Sequence, residues 1–478
     1  MSGQPLPRPP GQSVGTVSSR SPGRDCRVLS MKRFQLVIIA ALAITAGCTA
    51  ALEEVRPPAD QFFFPTGLAV SADESVLFVT NANSELRYDS GTVSVVDVAK
   101  VAELRDAWLD PNSGGVVPSG RDCEIDVDHA HILICNEAEV VIDGATVRTG
   151  NFATELGTQQ LDSGNIRLFI AMRGDPSVTW IDYDPSAREL SCGGSGTIPV
   201  CDEAHRLTQM RNDLSLPTLF DEPFGIYVDS VSEYVMVTHL TSGAVSLLDA
   251  PADGSDPMIT DSLAGLFAAN ALGVRGAVGV AGRSPGSASN LLYVTSRSES
   301  RVQTLSVARL GDSGLPTIVP SDFFFLRDVA PSDDSRGITF NASGDRAFIV
   351  NRDPPMLLVV DTSIDTDGRP RNELVNGIEI CPQAANVVVG DPGGGERAYV
   401  SCFRDGQVWV IDPISADVES IVNVGRGPHS MRIAPAHRML FVGNFLDDTV
   451  DVIDLTPGSP TENRVALQLG RSRAEGGN

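Results

Sequence analysis

Six aspartates close six short apolar runs at the same place: Asp97 in "VSVVD", Asp182 in "VTWID", Asp249 in "VSLLD", Asp361 in "LLVVD", Asp412 in "VWVID" and Asp454 in "VDVID". Carboxylates are what acid–base catalysis and hard-cation binding require. Their repetition points elsewhere. An Asp leaving a strand accepts backbone N–H bonds in the following turn, and a residue present in nearly every copy belongs to the scaffold. Chemistry is expected where the copies differ. One such position follows a second set of runs: "FVTN" from Phe78, "FIAM" from Phe169, "MVTH" from Met236, "YVTS" from Tyr293, "FIVN" from Phe348, "YVSC" from Tyr399 and "FVGN" from Phe441. It holds Ala82, Arg173, Leu240, Arg297, Arg352, Phe403 and Phe445, with Arg404 one place on. Guanidinium groups gathered there could hold a carboxylate or phosphate by bidentate hydrogen bonds. The competing expectation is that they pair with Asp175, Asp353 and Asp405, one or two residues away.

Other motifs carry less. "DVDHAH" offers Asp126, Asp128, His129 and His131, but they share one side only in an extended segment, and a solvated loop is the better description. "DTSIDTDG" at 361–368 is similar to a calcium loop without the acid at its twelfth position, Glu373 falling one place off. "RGD" at 173–175 is short enough to be chance. There is no Gly-rich phosphate loop, no GxSxG and no CxxCH, so neither cofactor nor metal is expected.

The elements that must position these residues form a repeat. Each "FVTN"-type run is followed by one of the Asp-ended runs (in one copy "VQTLS", with Ser306 in place of Asp), nine residues on in six copies of seven; an insertion around "SELRYD" lengthens the first. A third run precedes several copies ("PTGLAVS", "PFGIYVD", "SRGITFN", "PHSMRIA") and a fourth follows some ("VESIVNVG", "NRVALQLG"). Four short strands per unit, apolar on both faces and separated by Gly, Asp, Asn and Pro turns, are a propeller blade. The expectation is an all-β chain, a seven-bladed β-propeller of four-stranded antiparallel blades over 62–470. Residues 116–146 are a disulfide-pinned excursion or a degenerate eighth blade. The chain starts on an innermost strand and ends on an outermost one, so the usual blade shared between the termini is missing.

The pattern of Pro, strand, "FVTN", turn and "GTVSVVD" resembles the YVTN-repeat β-propellers of bacterial and archaeal surface proteins, whose seven-bladed relatives include lactonases and quinoprotein or cytochrome-type enzymes. In such a ring the turn after "FVTN" shares a face with the entrance to each innermost strand, where Thr66, Phe224, Arg336, Gln383 and His429 stand. One channel mouth is therefore expected to be rimmed by Arg173, His239, Arg297, Arg336, Arg352, Arg404 and His429. No central carboxylate can be assigned.

Six cysteines follow Cys48, and fifteen pairings are possible. Cys381 precedes the innermost strand of blade six and Cys402 ends its neighbour, which pairs them. Proximity likewise pairs Cys123 with Cys135 and Cys192 with Cys201.

At the N-terminus, residues 1–30 are a disordered leader or an over-extended reading frame. Residues 31–47, "MKRFQLVIIAALAITAG", are a secretory signal. "TAGC" resembles the bacterial lipobox with Thr45 where Leu is preferred, making Cys48 the expected lipidation site; ordinary cleavage is the alternative. Thr49, not Asp, then favours the outer membrane. Residues 48–61 are a tether and 471–478 a tail. Net charge is −25, and loss of residues 1–47 takes it to −30, a surface that repels nucleic acid and anionic membrane alike. Arginine nearly replaces lysine after residue 47, as in a GC-rich, Gram-negative genome. The function expected is an envelope-anchored module binding a protein, glycan or small anion, membrane contact being through lipid only. The alternative is a lactonase-like enzyme using the channel mouth.

Overall fold

The computed structural model describes residues 55–208, 219–270, 273–287, 290–309, 314–326 and 333–472. The leader, the signal segment, Cys48 and residues 473–478 lie outside them. The described chain is a seven-bladed β-propeller. Its seven blades are antiparallel, and their strands are consecutive in the chain except in blade one, where an insertion separates the third strand from the fourth. Blade one comprises Pro65–Val70, Val76–Asn81, Gly91–Asp97 and Val141–Thr149, and blade seven Pro428–Ala434, Met439–Asn444, Thr449–Asp454 and Arg464–Leu469. The innermost strand of every blade touches those of both neighbours, and the first meets the seventh, so the ring is closed.

The second and third strands are the core. Val76–Asn81 and Gly91–Asp97 are buried along their whole length, because each blade is covered on both faces. Continuous Val, Ile, Leu and Phe, not alternation, is the pattern such burial selects. Each fully buried side chain of this kind contributes about 1.5–3 kcal/mol.

Blade two departs from the plan. Its fourth strand is split into Glu189–Ser191 and Arg206–Thr208, both paired with Ser177–Asp184, and the Cys192–Cys201 disulfide closes the loop between them. The stretch 116–146 is not an eighth blade. After Asp97 the chain forms a helix, Val98–Leu109, capped by the Asp97 side chain at Lys100 N. A short hairpin follows, Cys123–Ile125 with Leu133–Cys135, tied by the Cys123–Cys135 disulfide. The chain then returns as the fourth strand of blade one. The hairpin does not join blade one: Leu133–Cys135 pairs parallel with Arg464–Leu469, the outermost strand of blade seven. The shared blade is missing as expected, and a strand from blade one's insertion clasps the last strand of the chain in its place.

Of the Asp residues closing the third strands, Asp97, Asp361, Asp412 and Asp454 accept turn N–H groups. Asp182 and Asp249 do not follow the expected pattern: they pair with Arg167 and Arg309, at 2.7 and 2.8 Å. In blade two the strand runs two residues longer, and Asp184 caps the turn instead.

Candidate functional site

Every innermost strand opens in the same way. A left-handed residue stands at each entrance, just before the strand in six blades and second in Asp333–Phe340 of blade five: Phe64, Phe152, Glu222, Gly276, Asp334, Gln383 and Gly427, with φ between 47° and 76°. A bulge follows the strand's first residue, re-aiming the next side chains. In five blades the carbonyl of the left-handed residue accepts the N–H of the turn residue after the second strand: Ala82, Arg173, Leu240, Arg297 and Phe445, at 3.0–3.1 Å. This bond brings the variable turn position beside the strand entrance, on one mouth of the channel.

Entrance residues are tied to the next blade as well. Thr154 Oγ1 donates to Phe224 O, Thr238 Oγ1 to Val278 O, Thr295 Oγ1 to Arg336 O and Ser401 Oγ to His429 O. Blade seven has Gly443 where blades three, four and six place this hydroxyl. There His429 Nδ1 takes over and donates to Thr66 O at 3.1 Å. That bond assigns the proton to Nδ1. Burial, with Arg352 and Arg336 adding to it, depresses the imidazole pKa, so at neutral pH His429 is uncharged with a free lone pair on Nε2.

The cations meet as a group. Arg297 is desolvated and feels Arg336, Asp334, Glu222 and Arg173; Arg352, held by Ala384 O at 2.7 Å, feels Arg336, Asp334 and Arg297. Burial first, with Arg336 and Arg297 adding to it and Asp334 opposing, brings the Arg352 pKa down to about 10, which leaves it charged. Two carboxylates share the mouth. Glu222 pairs with Arg173 at 2.8 Å and accepts from Thr241 Oγ1; Asp334 pairs with Arg336 at 2.6 Å. Arg297 and Arg352 form no ion pair with any described residue. Across the mouth stands an aromatic arc, with ring centroids 5.3 Å apart for Phe64–Phe445, 6.1 Å for Phe403–Phe445 and 6.5 Å for His429–Phe445.

Two expected rim residues, His239 and Arg404, and one expected entrance residue, Gln383, are placed otherwise. His239 is fully buried, its Nδ1 on Asp221 O at 3.1 Å and its Nε2 on Ser246 Oγ at 2.8 Å, and burial takes its pKa down to about 4. It ends the second strand, where Asn81, Ser296 and Cys402 stand in other blades. Each of these ties down the loop before the innermost strand, through Phe63 N, Arg275 O and the Cys381 disulfide. Arg404 is exposed and outside the group. Gln383 is the left-handed residue of blade six, and the position matching Arg336 and His429 is Ala385, one residue beyond Ala384, which pairs with Cys402. The expected local partner of Arg173, Asp175, pairs with Arg206 instead. The "DVDHAH" segment is a turn in which Asp126 Oδ1 accepts the N–H groups of Asp128 and His129.

Glu222 and Asp334 were not anticipated. Glu222 stands one place ahead of its strand and Asp334 second in its own, and the only hint was acids in "DEPFG" and "SDDSRG".

No protein-family model matches the chain, and none of the curated proteins does. Among solved structures it is similar to Kuenenia stuttgartiensis hydrazine synthase (TM-score 0.51, 13% identity, 85% of this chain and 99% of that one). It is also similar to a candidate 6-phosphogluconolactonase of Bacteroides fragilis (TM-score 0.54, 12% identity, 84% and 99%). A third is the periplasmic gluconolactonase of Pseudomonas aeruginosa (TM-score 0.44, 15% identity, 86% and 87%). At these identities the likeness is one of fold.

Proposed function

We propose that this chain is an exported, lipid-anchored β-propeller that binds a small anionic molecule at the arginine-lined mouth. The observation that carries the reading is the pair Arg297 and Arg352, two guanidinium groups drawn out of water with no carboxylate partner among the described residues. Four guanidinium groups against two carboxylates leave the mouth positive on a chain of net charge −25. A desolvated, unpaired cation is costly, and a bound carboxylate or phosphate offsets that cost through charge-assisted hydrogen bonds. The aromatic arc suits a ligand with an apolar or sugar-ring face, so a sugar acid or sugar phosphate fits best. Export is supported by "MKRFQLVIIAALAITAGC" and by three disulfides, which persist in oxidising compartments.

A second reading is lactone hydrolysis, favoured by the neutral His429 beside the arginines. Its Nε2 can take a proton from water as the oxygen adds to a lactone carbonyl. The arginines would then receive the developing oxyanion before the ring C–O bond breaks to give the hydroxy acid. The lactonase names among the solved structures agree with this reading.

Calorimetry with gluconate, 6-phosphogluconate and phosphate tests the first reading. Arg297→Ala with Arg352→Ala should weaken binding by about 100-fold or more, at about 1.5–3 kcal/mol for each charged hydrogen bond. Equal affinity in wild type and double variant overturns it. Hydrolysis of glucono-δ-lactone that disappears in His429→Asn, with gluconate binding retained, selects the second reading.

A further inference from the structure

Beyond the mouth, the same innermost strands enclose a chamber of about 390 Å³ within the channel. Its wall combines glycine and aliphatic residues with the polar side chains of Thr339 and Asn386 and two charged ones, Glu155 and Arg432. Neither was singled out from the sequence, and neither belongs to the mouth.

The repeat shows how blade two admits a carboxylate here. Blades one, three, four and five hold glycine at the third position of the innermost strand: Gly67, Gly225, Gly279 and Gly337. In the first three of these a threonine of the adjacent strand helps to fill the space. A Cβ on Gly67 would lie 2.7 Å from Thr80 Oγ1; on Gly225 it would lie 2.8 Å from Thr238 Oγ1 and closer still to Val278 O of the next blade, and on Gly279 3.0 Å from Thr295 Oγ1 and closer still to Arg336 O. Blade two has Ala171 in place of that threonine, as the pairing of Ala153 with Met172 shows, and Glu155 in place of the glycine. Losing the hydroxyl makes room for the longer side chain. Arg432 is likewise the single charged residue at the fifth position, against Ala69, Gly157, Tyr227, Ala281, Thr339 and Val388.

The ring surrounds both groups, yet solvent reaches them through the channel. They feel one another's charge without forming an ion pair, so their charged ends are more than 4.0 Å apart. Arg432 Nη1 donates to Met431 O at 2.7 Å, and Glu155 accepts no hydrogen bond from any described residue. Opposite charges that served only to hold the ring together would be expected to close on each other, because separate burial of each is costly. A gap between them, in a chamber that Asn386 and Thr339 also line, has the form of a bridged site.

We propose that the chamber is a second binding site, taking a small molecule with a carboxylate for Arg432 and a hydroxyl or ammonium donor for Glu155. That is the chemistry of a hydroxy acid or an amino acid. The site is independent of the mouth and does not rest on the function assigned to it. Titrating the purified full chain with lactate and serine tests it. At least one probe should bind, and Glu155→Gln and Arg432→Gln should each weaken it by about tenfold or more, while Arg352→Ala leaves it within about twofold. In wild-type protein the bound probe should also protect Arg432 from phenylglyoxal, read by peptide mass spectrometry, so the outcome does not depend on either variant folding. Binding indifferent to both substitutions, no binding of any probe, or unprotected Arg432 overturns the proposal. Loss of phosphate binding at the mouth with chamber binding intact would count against the mouth alone.

Discussion

The third strand of blade seven buries Asp451 almost completely. Burial pushes its carboxyl up to about 6, only partly countered by the Gly425 N–H at 2.8 Å, and Asp447 adds to the rise. The folded state therefore holds a proton that the unfolded chain releases near its ordinary carboxylate pKa. Stability from this group is fully present below that pKa and is lost as pH rises through about 6. Asp451→Asn keeps an acceptor for Gly425 and removes the buried charge. It should stabilise the protein by on the order of 1–2 kcal/mol at about pH 7.5, with the gain shrinking towards about pH 5. Urea unfolding at the two pH values checks this, and a gain independent of pH would contradict it. At this scale the sequence was legible where a side chain breaks the repeat, as Arg173, Arg297 and Arg352 do. It misled at His239, because the last residue of the second strand points into the blade. Glu222 and Asp334 were hidden because their placement depends on a left-handed φ that no spacing reveals.

Strands were the most legible elements, since nine-residue spacing and continuous apolar runs leave little room for another assignment. The Cys381–Cys402 disulfide tested that assignment. Its Cα atoms are 5.8 Å apart, where adjacent antiparallel strands of blade six place them. In blade one the equivalent tie is a single hydrogen bond from Phe63 N to Asn81 Oδ1 at 3.2 Å. Replacing both cysteines of blade six by serine should lower the unfolding free energy by about 3 kcal/mol on the chain-entropy account. The variant should keep its far-ultraviolet circular dichroism, because the strands stay paired without the bond. Denaturant titration measures the loss; an unchanged midpoint would mean that neighbouring blades alone hold this entrance. The split fourth strand of blade two was not legible, because its two three-residue pieces are too short to carry a period.

For the molecule as a whole, the ring was legible because seven second strands could be counted, and the way it closes was not. Pairing Leu133–Cys135 with Leu467–Leu469 joins segments more than three hundred residues apart, and a three-residue strand leaves no local signature of its partner. Helix Val98–Leu109 strengthens the same seam. Arg105 Nη1 reaches His437 O at 2.6 Å, and Phe64 N donates to Asp448 Oδ1 at 2.8 Å. The proposed anchor makes a simple prediction. Cys48→Ser should move the protein from the membrane fraction to the soluble one, since multiple acyl chains hold far more firmly than any contact an acidic surface offers. Retention on the membrane after that change would remove the lipid anchor from the account.

The clasp between the hairpin of blade one and the final strand has a consequence for synthesis. Ribosomes make proteins from the N-terminus, so the receiving edge at Leu133–Cys135 exists long before Arg464–Leu469, its partner strand outside the hairpin among the described residues. Until the last residues emerge, that edge waits unpaired, the kind of exposed strand that recruits wrong partners. Its brevity and the Cys123–Cys135 staple keep it small during the wait. A chain cut short anywhere before residue 464 keeps the waiting edge open, so interrupted copies carry a mark that finished ones have covered.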